Sequence, residues 1–397
     1  MWQKIKNLYH FVGALLAAII FNFPSKNIIV IGVTGTDGKT TTVHMIYQVL
    51  KESGQKVSMV STVGAAIGSK VFDTGFHVTT PTSWQIQKYL RRAVDAGHKY
   101  FVLETTSHGL DQNRLAFVNL EVGVLTNITH DHLDYHGTWE KYALAKTKLF
   151  KNVKISILNL DDEKSYEFLK NKSSGKIVTY ALSKNSDVNL KNFPIKLQVP
   201  GQYNLQNALA ANACAQELGI PKQKIKKALS EFAPVKGRMD QVSLGQHFKV
   251  YIDFAHTPNA LDQALKTLKS QSADRLIAVF GAAGQRDKSK RELMGSVADA
   301  IADIIILTAE DPRTESVKEI TSEISKGIKD KVEGKSLFIV EDRQQAIDHA
   351  TRLASKNDIV GIFGKGHEKT MCYGKREIPW DEFEVTKKAI KRSFNAK

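Results

Sequence analysis

The chain has 397 residues, 42% of them hydrophobic and 24% charged, a length that at about 150 residues per domain calls for two or three globular domains and excludes a disordered or fibrous chain. Its two cysteines, Cys214 and Cys372, lie far apart, so neither a disulfide framework nor a cysteine zinc site is indicated, and a reducing, cytoplasmic setting is expected. The formal charge of +15 suits anionic partners, but much of it sits on dispersed lysines (Lys222, Lys224, Lys226, Lys227, Lys387, Lys388, Lys391) without interleaved aromatics, so no nucleic-acid groove is expected.

Residues 1–26 form a separate N-terminal segment. Its apolar run, Phe11 to Phe23, is too short for a transmembrane segment and lacks a clear signal-cleavage site. Lys4, Lys6 and His10 on one side and Leu8, Phe11, Leu15 and Ile19 on the other fit a helix that packs on the first domain or touches a membrane surface, packing being the expectation.

Ile28 to Val33 reads as a buried strand that runs into Thr34-Gly35-Thr36-Asp37-Gly38-Lys39-Thr40-Thr41. Glycines let backbone N–H groups approach an oxyanion, and the next helix adds its free N–H groups and dipole. Lys39 supplies a point charge to phosphates, and the hydroxyl of Thr40 or Thr41 suits Mg²⁺. The spacing departs from the usual phosphate-loop pattern, which wants four residues between its first Gly and Gly-Lys: five separate Gly32 from Gly38, and two separate Gly35 from Gly38. The bland alternative is a glycine turn between strand and helix.

A helix over 42–53 stopped by Gly54 and a strand over 57–62 complete a βαβ unit. A turn-rich stretch leads to Thr79-Thr80-Pro81-Thr82, followed by a helix over 83–96 and a strand over 100–103 that Glu104 closes, where an open α/β sheet presents ligand groups. The strand over 122–126 runs into Asn127-Ile-Thr-His130-Asp131-His132-Leu-Asp134-Tyr-His136, which fails the dinuclear-hydrolase spacing and fits a single Mg²⁺ or a polar phosphate-side loop. A helix over 139–150 carries Lys146, which the bare sequence reads as a surface lysine, and a strand over 155–159 follows. The helix from Gly201 to Leu218 places Asn204 and Asn207 at i and i+3 on one face.

Gly237-Arg238-Met239-Asp240 reads as a hinge. Strands over 250–253, 276–280, 304–308, 337–341 and 359–363 then alternate with helices over 259–270, 290–302, 317–329 and 344–354, which predicts a second doubly wound α/β domain. The expected domains are therefore 27–236, a central nucleotide-binding domain, and 237–397, a Rossmann-like C-terminal domain. A nucleotide loop joined to a second such domain suits an enzyme that phosphorylates a carboxylate and lets an amine attack the acyl phosphate.

The ordered set Thr34–Thr41, Glu104-Thr-Thr-Ser-His-Gly-Leu-Asp-Gln-Asn-Arg114, Asn127–Gly137, Asp253-Phe-Ala-His-Thr-Pro258, Asp311-Pro312-Arg313 and Gly364-Lys-Gly-His-Glu368 resembles the Mur ligases, over about residues 27–397. Within the family it is most similar to the branch that adds an amino acid to UDP-N-acetylmuramoyl-L-alanyl-D-glutamate in peptidoglycan synthesis. The resemblance implies an ATP- and Mg²⁺-dependent ligase with catalytic Lys39, Glu104, His132, Lys146 and Asp253. Gly35, Thr36, Asp37, Gly38, Lys39, Thr40 and Thr41 would hold the phosphates, and Thr40, Glu104 and His132 would surround Mg²⁺. Lys146 matches a lysine that the family carbamylates, turning an amine into a carboxylate that can ligate a second Mg²⁺. Asn204 or Asn207, together with Arg238, would face the nucleotide.

By the same resemblance the UDP-muramoyl dipeptide would meet Thr79, Thr80, Thr106, Gln112 and Arg114, and the incoming amino acid Arg286, Asp311, Pro312, Arg313, Gly364 and Glu368. The family's meso-diaminopimelate signature, Asp-Asn-Pro-Arg, reads Glu310-Asp311-Pro312-Arg313 here. Arg313 favours a distal carboxylate; Asp311 in place of Asn adds negative charge and keeps lysine open. A second departure is that only about 26 residues precede the first strand, where the family carries a uridine-gripping domain of roughly a hundred, a typical domain size. Uridine recognition is then absent, made elsewhere, or supplied by a protein partner. A partner-dependent or non-catalytic subunit and a folate or poly-amino-acid ligase are the competing classes.

Overall fold

A computed structural model describes residues 2–68, 70–72, 79–272 and 274–395, so part of the turn-rich stretch expected before Thr79 lies outside the described residues. The chain folds as two compact units. One holds residues up to Thr129, His136–Val199 and Tyr203–Ala233; the other holds His130–Tyr135, Pro200–Gln202 and the chain from Pro234 on.

The first unit opens with α1 (Trp2–Ile20), then β1 (Ile29–Thr34), α2 (Lys39–Glu52), β2 (Val57–Val60), β3 (Ala65–Ile67), β4 (Lys70–Phe72), α3 (Ser83–Asp95) and β5 (Tyr100–Glu104). It continues with α4 (Ser107–Asp111), β6 (Leu120–Leu125), the short α5 (Leu133–His136), which straddles the two units, α6 (Trp139–Thr147), β7 (Ile155–Asn159), α7 (Glu163–Lys170), β8 (Lys176–Tyr180), α8 (Gln202–Glu217) and α9 (Lys222–Ser230). The sheet order is β4-β3-β2-β5-β1-β6-β7-β8. It is parallel from β2 to β8, with β3 and β4 antiparallel at one edge. Strands buried on both faces need continuous apolar runs, and Val30, Phe101, Leu103, Leu125 and Leu158 supply them. Because β1 lies between β5 and β6, the chain turns away in opposite directions on either side of it, and the crevice at such a reversal receives ligands.

In the second unit β9 (Asp240–Val242), β10 (Lys249–Asp253), α10 (Pro258–Lys269), β11 (Leu276–Phe280), α11 (Ser289–Ile301) and β12 (Ile304–Leu307) lead to α12 (Val317–Ser325). There follow β13 (Leu337–Ile339), α13 (Arg343–Leu353), β14 (Ile359–Phe363), the hairpin β15 (Thr370–Tyr373) and β16 (Arg376–Pro379), and α14 (Glu382–Asn395). The order β13-β12-β11-β14-β10-β9, parallel except for β9, meets the doubly wound expectation. Several extents differ from the sequence reading, among them the strands expected over 57–62 and 122–126, which run 57–60 and 120–125. The helix expected over 317–329 stops at Ser325, after which the Gly327 and Ile328 N–H groups donate three residues back, to Ile324 and Ser325, in tighter turns. Residues 148–150 tighten from α-helix into a 3₁₀ turn, and β13 ends at Ile339 rather than 341.

The N-terminal helix corrects an expectation about its faces. It packs on α3, and its fully buried residues are the small Ala14, Ala17 and Ala18. Leu8 and Ile19, expected inward, are 63% and 54% exposed, while Phe11 leans on Phe117 with ring centroids 5.1 Å apart. Lys4 and Lys6 lie outside the residues whose side chains are described.

Candidate active site

The loop after β1 needs its glycines. Gly38 caps α2 at φ +80°, and a Cβ there would lie 2.4 Å from Asn207 Oδ1; a Cβ on Gly35 would lie 1.7 Å from Thr126 Oγ1. The β6 exit fastens the loop: Thr126 Oγ1 donates to the Asp37 carbonyl (2.7 Å), the Asp37 N–H donates to Asn127 Oδ1 (3.0 Å), and Thr129 Oγ1 donates to Asp37 Oδ2 (3.2 Å). Thr36 Oγ1 meets Tyr142 Oη at 3.1 Å, and Lys39 Nζ donates to the Thr36 carbonyl at 2.6 Å. Sequence reading does not single out Thr126, Asn127 or Tyr142 as site residues, because a hydroxyl or amide after a strand looks like any turn residue and a tyrosine within a helix like any core residue.

Beneath the loop Thr40 Oγ1 donates to both Glu104 carboxylate oxygens (3.0 and 3.1 Å), and the Thr62 N–H donates to Glu104 Oε2 at 2.8 Å. Glu104 is fully buried. A carboxylate and a hydroxyl meeting at the end of a phosphate loop form a hard oxygen donor set, which fits Mg²⁺. Among the described residues no three His, Cys, Asp or Glu side chains group as a metal site, so such an ion would share its ligands with a hydroxyl and phosphate.

Lys146 is not the surface lysine that its helix position suggests. It is buried, donates to the Gly35 carbonyl at 2.6 Å, and lies 4.4 Å from the centroid of the Tyr142 ring. On α8, Asn204 and Asn207 are buried on one face, 3.4 Å apart amide to amide, and Thr42 Oγ1 donates to Asn207 Oδ1. The structure therefore brings Asn207 to the phosphate loop itself.

Four residues expected at the acceptor side form one network in the first unit. Thr80 and Thr106 hydroxyls meet at 3.0 Å, Arg114 Nη1 donates to the Thr80 carbonyl (2.7 Å), and Arg114 Nε and Nη2 grip Gln112 Oε1 (3.0 and 2.7 Å). Thr79 stands next to this network in the chain. Nearby, His136 Nε2 meets Ser107 Oγ at 3.0 Å; desolvation first, then the charge of His108, push its pKa down to about 4.

In the second unit His132, at φ +56°, pairs with Asp131 (3.3 Å). Burial, the largest influence on Asp131, would raise its pKa, but Lys290 at 3.7 Å, His132 and His256 outweigh it and hold the carboxyl well below the usual range. Asp253 closes β10 and accepts the Met239 N–H (2.6 Å) and the Ala255 N–H (2.8 Å), so it fixes the 237–239 turn. The Arg238 guanidinium stacks 4.3 Å from the Phe254 ring centroid.

The strand ends of the same unit carry Asp311, Pro312, Arg313, Gly364 and Glu368. Asp311 Oδ1 accepts from buried Lys365 Nζ (2.8 Å) and from the Cys372 N–H (3.0 Å), and Lys365 also pairs with Glu368 (2.6 Å). Arg313, at φ +51°, donates through Nη1 to the Gly284 carbonyl (3.0 Å), and Gly284 returns its N–H to the Asp311 carbonyl (2.8 Å). A Cβ on Gly284 would strike the Pro312 carbonyl oxygen at 2.0 Å, so only glycine permits this fold-over. Desolvation and the neighbouring Arg313 charge lower the pKa of Arg286. An anion bound by both guanidinium groups would relieve that repulsion. Glu310, buried against Gly364, leaves Oε2 without a hydrogen bond among the described residues, and burial raises its pKa to about 7. Sequence reading missed Lys365 and Arg343. The latter is wholly buried, pairs with Glu382, and donates to the carbonyls of Ala309 (3.0 Å) and Phe363 (2.8 Å), pinning the two strand ends that precede Asp311 and Gly364.

A strand–loop–helix phosphate grip with a buried carboxylate, on a doubly wound sheet, and a second α/β unit with Arg286 and Arg313 in the loops that follow two of its strands define an ATP-dependent ligase. Residues 33–215 match the model of the Mur ligase middle domain, and residues 237–366 match that of the Mur ligase glutamate ligase domain. The chain belongs to the Mur ligase family. It is 39% identical to the UDP-N-acetylmuramoyl-L-alanyl-D-glutamate--2,6-diaminopimelate ligase of Caldanaerobacter subterraneus subsp. tengcongensis, covering 96% of this chain and 82% of that one. It is 40% identical to the UDP-N-acetylmuramyl-tripeptide synthetase of Borreliella burgdorferi, covering 94% of this chain and 78% of that one. Among solved structures, a UDP-N-acetylmuramoyl-L-alanyl-D-glutamate--2,6-diaminopimelate ligase matches at 32% identity with a TM-score of 0.62, over 92% of this chain and 79% of that one. The Mycobacterium tuberculosis folylpolyglutamate synthase, at 16% identity and a TM-score of 0.69, shares the fold.

Proposed function

We propose that this enzyme adds meso-diaminopimelate to UDP-N-acetylmuramoyl-L-alanyl-D-glutamate through an acyl phosphate, in the cytoplasm. The observation that carries the amino-acid choice is the state of Asp311. Its carboxylate accepts from Lys365 and the Cys372 N–H rather than from Arg313, which leaves the Arg313 guanidinium, with Arg286 nearby, to take a distal carboxylate. Glu310, with an unpartnered buried oxygen, faces the ammonium requirement of the same substrate.

In this reading the loop N–H groups from Gly35 to Thr41 and Lys39 hold the β- and γ-phosphates while the acceptor carboxylate, oriented by Thr79, Thr80, Thr106, Gln112 and Arg114, attacks phosphorus and releases ADP. The amine then attacks the acyl carbon and expels phosphate. Thr40 and Glu104 would hold Mg²⁺, which would supply charge neutralisation to the transferring phosphoryl group. Lys146, buried against Gly35, is assigned as the carbamylated lysine: its amine would add to CO₂ with loss of a proton and become an anionic ligand. Asn204, Asn207, Arg238 and Asp253 are assigned to the nucleotide side. The test is phosphate release with ATP, Mg²⁺ and the UDP-muramoyl dipeptide across a panel of amino acids. Release that needs the dipeptide and is fastest with meso-diaminopimelate is expected; release with folate or with no muramoyl acceptor refutes the reading.

A further inference from the structure

Surface helices ordinarily turn their large apolar residues inward, and α1 does the reverse. Its fully buried residues are alanines, whereas Leu8, Val12, Leu16, Ile19 and Ile20 are 63%, 47%, 49%, 54% and 64% exposed. Positions 8, 12, 16 and 19 follow at intervals of four, four and three, so these side chains make one continuous outer stripe along a helix of roughly 28 Å. Between Trp2 and Ile20 there is no acidic residue. The stripe continues onto neighbouring structure: Trp84, 43% exposed on α3, meets Phe21 edge-on at 6.3 Å. Exposed Lys88 follows one turn later on α3, and exposed Lys26 lies just beyond the end of α1.

From this placement we propose that α1 lies flat on an anionic lipid bilayer, with Leu8, Val12, Leu16, Ile19 and Ile20 in the acyl boundary, Trp84 at the headgroup level, and Lys26 and Lys88 against lipid phosphates. No helix among the described residues is long and apolar enough to cross a membrane, so the contact is interfacial. Charge selects this occupant. A second copy would bring a net charge of +15 against +15, whereas an anionic leaflet meets that charge with the opposite sign. An acid-free apolar ridge flanked by lysines and a tryptophan has the composition of an interfacial helix.

The test is co-sedimentation of the full chain with vesicles of phosphatidylcholine containing about one quarter phosphatidylglycerol, a composition that carries a negative surface potential. The wild type should pellet with these vesicles, pellet much less with pure phosphatidylcholine, and be released as ionic strength approaches about 1 M, where screening acts within about 3 Å. Leu16→Glu/Ile19→Glu should lower the partition coefficient by more than about tenfold, and Lys26→Glu/Lys88→Glu should lower it severalfold. Both variants change exposed positions, so thermal melting and ligase turnover in solution should match the wild type. Wild-type protein that stays in the supernatant with every vesicle, or that binds as well after either double substitution, overturns the proposal. So does sedimentation equilibrium showing a wild-type dimer that Leu16→Glu/Ile19→Glu splits while vesicle binding is unchanged.

Discussion

Removing the Arg313 guanidinium should abolish the preference for meso-diaminopimelate over lysine. Arg313 is half-buried and spends one nitrogen on the Gly284 carbonyl. A charge-assisted bond to a distal carboxylate contributes about 1.5–3 kcal/mol, which is roughly ten- to a hundredfold in kcat/KM against a substrate whose far end has only an ammonium. Asp311 would erase that margin if it paired with Arg313, but it pairs with buried Lys365 at 2.8 Å. Measuring kcat/KM for both amino acids in the wild type, in Arg313→Ala and in Asp311→Asn separates the two possibilities. The ratio should fall to near unity in Arg313→Ala and stay within about threefold of wild type in Asp311→Asn, whose overall rate and stability drop as Lys365 loses a partner. A wild-type preference for lysine, or a ratio that Asp311→Asn moves as much as Arg313→Ala does, would refute the reasoning.

Lys146→Ala should be inactive yet folded, and acetate or another short carboxylate should restore part of the turnover by supplying the lost anion; full activity without rescue would remove Lys146 from the mechanism. Gly38→Ala forces a side chain into φ +80° with its Cβ 2.4 Å from Asn207 Oδ1, so it should cost about 1–2 kcal/mol in thermal stability and raise KM for ATP, an effect absent if the loop does not bind phosphate. His136 stays neutral in the fold down to about pH 4, whereas the unfolded chain takes up a proton near 6.5. Above pH 6.5 it contributes no pH dependence, and between 6.5 and 4 stability falls as pH falls, by about 2 kcal/mol on going to pH 5. Urea titrations at pH 7.5 and 5 should show this loss reduced in His136→Gln; an equal loss in both proteins would mean that His136 titrates normally.

Much of the architecture follows from local pattern. Apolar runs of five or six residues separated by amphipathic helices can only be doubly covered parallel strands, and a strand that breaks into Gly-Thr-Asp-Gly-Lys-Thr must turn tightly into a helix N-terminus. Hence the phosphate loop, Glu104 at a strand end and the alternation after residue 237 were readable residue by residue. The pairing of Asn204 with Asn207 was readable too, since helical spacing alone puts them on one face. Short edge strands such as β3, β4, β15 and β16 were not, because three or four residues carry too little periodicity.

What only tertiary structure decided is where charges end up. No local pattern distinguishes Lys146 from an ordinary helix lysine, and its burial against the Gly35 carbonyl arises because α6 packs beside a loop more than a hundred residues earlier. The pairing of Asp311 with Lys365 spans 54 residues and joins the ends of two strands that β11 separates, so the negative charge that seemed to compete with Arg313 was already compensated. The outward apolar face of α1 has the same origin. A helical wheel shows one face of alanines and another of large aliphatics, and close packing against α3 chose the alanines, since only small side chains let two helix backbones approach.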